Sequence, residues 1–127
     1  MNLFFTCNLE EALTDADIIF IAVSTPTKSK GLGSNQSLDL SFVENAARII
    51  SAFYSERKPQ EEKIIIVVEK STVPVYTSKL IQSILQEGES KGEQKFSVIS
   101  NPEFLAEGSA VHDLLHPDRV IIGGTEE

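Results

Sequence analysis

The 127 residues suit one buried core and not two, and 41% hydrophobic side chains with 7 glycines match folded globular domains, which argues against a disordered or fibrous chain. Lys and Arg number 11 against 19 Asp and Glu, a formal net charge of −8 that argues against a general nucleic-acid binder, because such a protein needs a basic face for phosphates. A nucleotide pocket stays open, since it holds phosphate through local amides and one or two cations.

The longest apolar runs, Ile18 to Val23 and Ile64 to Val68, fall far short of the roughly 18–20 residues of a membrane span. The opening Met1-Asn2-Leu3-Phe4-Phe5 lacks the basic flank and long apolar stretch of a signal peptide. A lone cysteine, Cys7, closes no internal disulfide, and zinc sites need more Cys or His than this chain carries. These features point to a reduced, cytoplasmic protein with no membrane anchor.

In chain order, Leu3 to Thr6 reads as a short strand. Asn8 and Glu11 have capping-box spacing ahead of a short helix to about Leu13. Ile18 to Val23 is continuously apolar and β-branched, which fits a strand buried on both faces of a parallel sheet. Ser24 to Leu38 is a long polar loop, and loops of this length are usually functional or mobile. From Asp39 to Phe53, Leu40, Val43, Ala47 and Ile50 keep one helix face apolar, with the start at Asp39 or at Ser41, which pairs with Glu44 as a capping box. Ser55 to Lys63, charged and carrying Pro59, is a surface connection.

Ile64 to Val68 is the second buried strand. Lys70 to Pro74 is a turn into a helix that runs to about Gln86, with Leu80, Ile81, Ile84 and Leu85 on one face and proline suited to its first turn. Gly88 to Lys95 is a linker, Phe96 to Ser100 a third strand, Asn101 to Gly108 a loop, and Val120 to Ile122 a final strand. There is no internal repeat. The alternation predicts an α/β fold: a Rossmann-like parallel sheet with right-handed helical crossovers. The abrupt start at Leu3 and the stop after Ile122 read as cuts within a longer protein, so the sheet is expected to be an incomplete fragment.

Ligands of open α/β sheets bind outside the carboxyl ends of the strands. Here those ends are Ser24, Lys70 and Asn101, and each opens a polar segment. Parallel neighbouring strands would bring Thr25, Thr72 and Glu103 around one cleft. Glu103 and Glu107 are four apart; on a helix they would share a face, and half-buried beside Phe104 and Leu105 a carboxyl could move protons. The alternative is two solvated glutamates. Lys70-Ser71-Thr72 could offer hydroxyls and helix-start N–H groups to a phosphate, carboxamide or water, or Ser71 and Thr72 could simply cap the helix. Thr25-Pro26-Thr27 could meet a ligand or merely stop a strand.

His112 and His116 have metal-ligand spacing. No Glu follows His112 as the zinc-protease motif requires, and Pro117 ends the segment, so they read as surface histidines and no metal site is expected. Cys7 reads as a structural thiol, Asp118-Arg119 as a local ion pair, and Gly123-Gly124 as a turn. No GxGxxG fingerprint occurs in the chain.

Taken together, Phe20-Ile21-Ala22-Val23-Ser24-Thr25-Pro26-Thr27, Glu69-Lys70-Ser71-Thr72-Val73-Pro74-Val75, Asn101-Pro102-Glu103-Phe104-Leu105-Ala106-Glu107-Gly108 and Pro117-Asp118-Arg119-Val120-Ile121-Ile122-Gly123-Gly124 resemble, in this order, the UDP-glucose/GDP-mannose dehydrogenase family. The Lys28 to Asp39 loop is similar to the eukaryotic UDP-glucose 6-dehydrogenase type. The resemblance spans essentially the whole chain and places residues 1–127 in the C-terminal portion of an N-terminal NAD-binding domain. It implies an enzyme that oxidises UDP-glucose to UDP-glucuronate with two NAD through a cysteine thioester, in a homo-oligomer.

By motif, it implies that Val23, Ser24, Thr25, Pro26, Thr27, Ser71 and Glu107 lie by the cofactor. Glu103, Phe104, Leu105, Ala106 and Glu107 would meet the substrate. Glu103 would be the acid/base of thioester hydrolysis, and Thr72 would position its water. Ser24 departs from the family pattern, where Asn is common, and the segment from Tyr54 to Lys63 is longer and more charged than usual. The glycine-rich fingerprint, the nucleophilic cysteine and a catalytic lysine have no counterpart here, and Cys7 does not match the nucleophile's motif. The alternatives are a fragment of a GDP-mannose or UDP-N-acetyl sugar dehydrogenase, and a non-catalytic nucleotide-binding or assembly module.

Overall fold

The computed structural model describes residues 2–29, 37–57, 63–87 and 95–124. Among them run α1 (Leu9–Leu13), β1 (Ile18–Ile21), α2 (Ser41–Ser55), β2 (Ile64–Glu69), α3 (Thr77–Glu87), β3 (Lys95–Ser100) and α4 (Ala110–Leu115). The three strands lie side by side in the order β1-β2-β3, all parallel. The α/β alternation expected from the sequence therefore holds: the apolar runs at Ile18, Ile64 and Phe96 become strands, and the amphipathic stretches between them become the crossovers.

Register and side-chain alternation sort the sheet into two faces. On one face Ile19 pairs with Val67 and Val67 with Val98, and one step on Ile21 pairs with Glu69 and Glu69 with Ser100. This face carries the core. Ile21, Ile65 and Val67 pack with Val43, Ala47, Ile50 and Tyr54 of α2 and with Ile81, Ile84 and Leu85 of α3. Each such aliphatic side chain contributes about 1.5–3 kcal/mol by leaving water. Tyr54 also stacks edge-on between Phe53 and Phe96, at centroid distances of 5.0 and 5.5 Å, and donates its hydroxyl to the Leu13 carbonyl.

Several local expectations are corrected. Leu3 to Thr6 forms no strand, and Phe5 is 91% exposed: β propensity without a neighbouring strand has no ladder to join. Asn8 caps α1 by accepting the Glu10 N–H, but the box is not reciprocal, because the Glu11 carboxylate accepts the Thr6 hydroxyl and the Asn8 N–H goes to Thr6 Oγ1. β1 stops at Ile21 and is buried on one face only. It is an edge strand with Ile18 and Phe20 exposed.

α2 begins at Ser41, where the Asp39 carboxylate accepts the Ser41 N–H at 3.0 Å, and the Glu44 N–H bonds the Leu40 carbonyl. Hydrogen bonds from Ser41 hold the Asp39 carboxyl below its ordinary range. α3 begins at Thr77 rather than beside Pro74, because Tyr76 takes a left-handed backbone conformation (φ 72°) that breaks the helical path. Val120 to Ile122 forms no strand, and only Gly123 pairs with the end of β3, antiparallel to Ser100. Cys7 is exposed and outside the core, so it is no structural thiol. Most of the expected 88–95 linker, the middle of the 24–38 loop and part of the 55–63 connection lie outside the described residues.

Candidate functional site

The parallel ladder continues past the strand ends. The Lys70 N–H bonds the Ile21 carbonyl and the Asn101 N–H the Glu69 carbonyl, both at 2.9 Å. The chain thus leaves all three strands at the same edge, and the segments from Ser24, Lys70 and Asn101 converge as expected. Ser71 is buried and clamps the first of them: its Oγ accepts the Val23 N–H at 2.9 Å and donates to the Val23 carbonyl at 2.8 Å. Its hydroxyl therefore acts on the 23–27 segment through the backbone. Beyond the clamp, the Pro26 carbonyl accepts the Asp39 N–H at 2.7 Å and Thr27 bridges Leu38, which closes the base of the long loop.

A continuous line of polar contacts then crosses the edge. Thr25 Oγ1 donates to the Thr72 carbonyl at 2.8 Å, and Thr72 Oγ1 donates to Glu103 Oε1 at 3.2 Å. Glu103 is half-buried, and its Oε2 is buried without a hydrogen-bond partner among the described residues. Such an orphaned acceptor is costly unless a ligand group or water completes it.

Glu107 does not join Glu103. Residues 101–106 are not helical, so no shared face exists, and Glu107, Phe104 and Leu105 are exposed. The stretch turns instead at Gly108, whose φ of 87° suits glycine. The Ala106 N–H and the Ser109 hydroxyl both bond Asp113 Oδ2, at 3.0 and 2.8 Å, and hold the Asp113 carboxyl below its usual range. Lys70-Ser71-Thr72 also does not sit at a helix start, because α3 opens five residues after Thr72.

Behind this segment, Asn101 Nδ2 donates to the Ile121 carbonyl at 2.8 Å, and Ser100 and Gly123 exchange two backbone bonds of 2.8 Å. Arg119 forms no ion pair with Asp118 among the described residues; its guanidinium lies 5.3 Å from the centre of the Phe104 ring. His112 lies in α4 with His116 at its end, their rings 5.0 Å apart.

Sequence reasoning passed over Glu69. It ends β2 on the core face, is 1% exposed, and accepts the Ser100 hydroxyl at 3.1 Å through Oε2, while its buried Oε1 has no partner among the described residues. Burial pushes its pKa up against the Ser100 hydrogen bond; the Glu103 charge adds to the rise and Lys70 opposes it. The signal was present in the alternation: Ile65, Val67 and Glu69 occupy one row, and the acid stands where a third apolar residue belongs.

A parallel sheet with its polar segments gathered at the carboxyl edge defines a Rossmann-like nucleotide-binding domain. Residues 1–127 match the model of the UDP-glucose/GDP-mannose dehydrogenase family, NAD binding domain, and the chain belongs to that family. UDP-glucose 6-dehydrogenase 2 of Oryza sativa subsp. japonica is 49% identical over 125 residues, 98% of this chain and 24% of that protein. UDP-glucose 6-dehydrogenase 2 of Arabidopsis thaliana is 51% identical over the same shares. Among solved structures, a UDP-glucose dehydrogenase from the archaeon Pyrobaculum islandicum superposes with a TM-score of 0.76 at 41% identity, covering 96% of this chain and 26% of that one. A GDP-mannose dehydrogenase from Pseudomonas aeruginosa gives 0.76 at 31% identity, covering 95% and 26%. The chain spans about a quarter of the length of these relatives.

The cofactor of the family domain is NAD. At the described edge, the buried Glu103 Oε2, without a partner among the described residues, is an acceptor open to a donor group. A phosphate cradle of the GxGxxG kind is not in the sequence. Among the described residues no helix is long and apolar enough to cross a membrane, and no three His, Cys, Asp or Glu gather as a metal site.

Proposed function

We propose that residues 1–127 are the C-terminal portion of the N-terminal NAD-binding domain of a UDP-glucose 6-dehydrogenase, whose parent enzyme is a cytoplasmic homo-oligomer that oxidises UDP-glucose to UDP-glucuronate with two NAD through a cysteine thioester. The line Thr25–Thr72–Glu103 carries this reading. It gathers hydroxyl, backbone and carboxyl groups where the family motif puts chemistry.

In this reading Val23, Ser24, Thr25, Pro26 and Thr27 form the cofactor-side wall, and Ser71 holds it rigid through Val23. NAD, when bound, supplies the hydride acceptor. Glu103 is the acid/base that draws a proton from the hydrolytic water, and Thr72 fixes the carboxyl and the water relative to each other. Phe104, Leu105 and Ala106 present the substrate-side surface, and Glu107 stands at its exposed end. Removing a general base costs about 10²–10⁴-fold in rate.

The test is Glu103→Gln in a complete dehydrogenase carrying this segment. Thioester hydrolysis should slow within that range while UDP-glucose binding changes little, and an unchanged turnover would remove Glu103 from the mechanism. The GDP-mannose reading stays alive on the equal TM-score of the Pseudomonas aeruginosa enzyme, and comparing turnover on the two sugar nucleotides separates them.

A further inference from the structure

We propose that Asp113 is a positioning residue for the substrate side: its carboxylate fixes the far end of the 101–109 segment onto α4, and so sets where Phe104, Leu105 and Ala106 meet UDP-glucose. This role rests on the reading of that segment as the substrate side. Residues 101–106 belong to no helix or strand, so no backbone ladder holds them. Irregular backbone keeps one geometry only where specific bonds offset its conformational entropy. At the near end, the Asn101 N–H bonds the Glu69 carbonyl at 2.9 Å, and Asn101 Nδ2 bonds the Ile121 carbonyl at 2.8 Å. In the middle, the Thr72 hydroxyl reaches Glu103. At the far end, two bonds from the segment converge on one atom of α4: Asp113 Oδ2 accepts the Ala106 N–H at 3.0 Å and the Ser109 hydroxyl at 2.8 Å.

Little else holds this end. No atom lies within 4 Å of where a side chain at Gly108 would start, so packing does not fix the turn there. The turn's own backbone bond, from the Ser109 N–H to the Ala106 carbonyl, is long at 3.3 Å. A carboxylate acceptor makes each Asp113 bond roughly twice as strong as a neutral one. The second oxygen, Oδ1, faces His112 Nδ1 at 3.8 Å and takes no part in the clamp. The cofactor side has a different anchor, because Ser71 holds residues 23–27 through Val23. Loss of Asp113 should therefore act on UDP-glucose and not on NAD.

Two readouts test this. In the 127-residue chain, the Ala106 amide hydrogen should exchange about 10–100-fold faster in Asp113→Ala than in wild type, the loss of one hydrogen bond to a charged group. In a complete dehydrogenase carrying this segment, the same variant should raise KM for UDP-glucose about 10-fold or more and leave KM for NAD little changed. Asp113→Asn can put its amide oxygen where Oδ2 stands and turn its NH2 toward His112, so it should recover most of both effects. Should Asp113→Ala not fold, Ser109→Ala removes one of the two bonds and should move both readouts in the same direction by less. Unchanged Ala106 exchange, no recovery in Asp113→Asn, or a KM for NAD raised as much as that for UDP-glucose overturns the proposal; the last is the mark of a merely structural role. Leu105→Ala separates the clamp from the reading beneath it. If Leu105→Ala raises KM for UDP-glucose and Asp113→Ala does not, the positioning role falls and the substrate side stands. If neither does, both fall.

Discussion

The two faces of the sheet differ in what covers them. On one, α2 and α3 seal Ile21, Ile65 and Val67 together with Ile81 and Leu85, the last two at 0% exposure. On the other, Ile18 and Phe20 of β1 and Ile64 of β2 stand more than half exposed among the described residues. The residue types are the same on both, so composition does not separate them. Alternation and the crossover path do: among the described residues β1 to β2 and β2 to β3 are each joined by one helix, and both helices pack on the same side. Most of the buried apolar packing therefore lies on one face, with Val68 at 4% exposure the buried exception on the other, and the polar edge is fixed relative to the packed face.

The largest effect should follow from opening the sealed side. Leu85→Ala removes a fully buried side chain between α3 and the sheet and should cost about 2–5 kcal/mol, read from urea denaturation. A loss under about 1 kcal/mol would mean that the α3 contact is not part of the cooperative unit. Next comes the clamp that ties the edge to the core. Ser71→Ala leaves the Val23 N–H and carbonyl unpaired and should cost about 1–3 kcal/mol. Under the proposed function it should also weaken NAD binding in the complete enzyme, because residues 23–27, proposed to line the cofactor, lose their anchor. A stability loss with no change in NAD affinity would separate the clamp from that proposed role.

Much of this architecture was legible in the sequence. Ile64 to Val68 and Phe96 to Ser100 are apolar enough to be strands wherever they sit, and helical spacing fixed Val43, Ala47 and Ile50 on one face. Convergence of Thr25, Thr72 and Glu103 followed from parallel pairing alone, because parallel strands all end at one edge. What was not legible depends on tertiary partners. Leu3 to Thr6 has strand-forming residues but no strand beside it. The apolar run of β1 suggested burial on both faces, while its cover is one-sided. Glu107 needed a helix that residues 101–106 do not form, and the Ser71 hydroxyl was committed to Val23, 48 residues away. Glu69 escaped notice because an acid at a strand end reads as the start of a loop, until the register puts it in the core row.

Glu69 also gives the sealed face a pH dependence of definite sign. Its folded pKa lies above the ordinary 4.5, so the stability it permits is complete below about that value and is lost as pH rises through the folded pKa. Asp39 and Asp113, whose pKa values are lowered, act oppositely, and their contributions are lost as the solution is acidified. Glu69→Gln removes only the first of these trends. Denaturation of the variant and wild type across pH 4 to 8 should therefore show the variant gaining on wild type as pH rises. Parallel curves would mean that Glu69 titrates alike in the folded and unfolded chain.

The smallest effect belongs to the open face, and it tests the comparison most directly. Phe20 is 58% exposed on edge strand β1, so Phe20→Ser gives up little burial and should change stability by no more than about 0.5 kcal/mol. An edge strand with an apolar open face also invites pairing with another chain. The same substitution should therefore reduce any self-association seen by sedimentation, with little effect on the monomer's unfolding. If Phe20→Ser instead destabilised the chain as much as Leu85→Ala, the open face would have to be covered in solution. Stability would then depend on protein concentration, and the division between a sealed and an open face would hold for the isolated chain only.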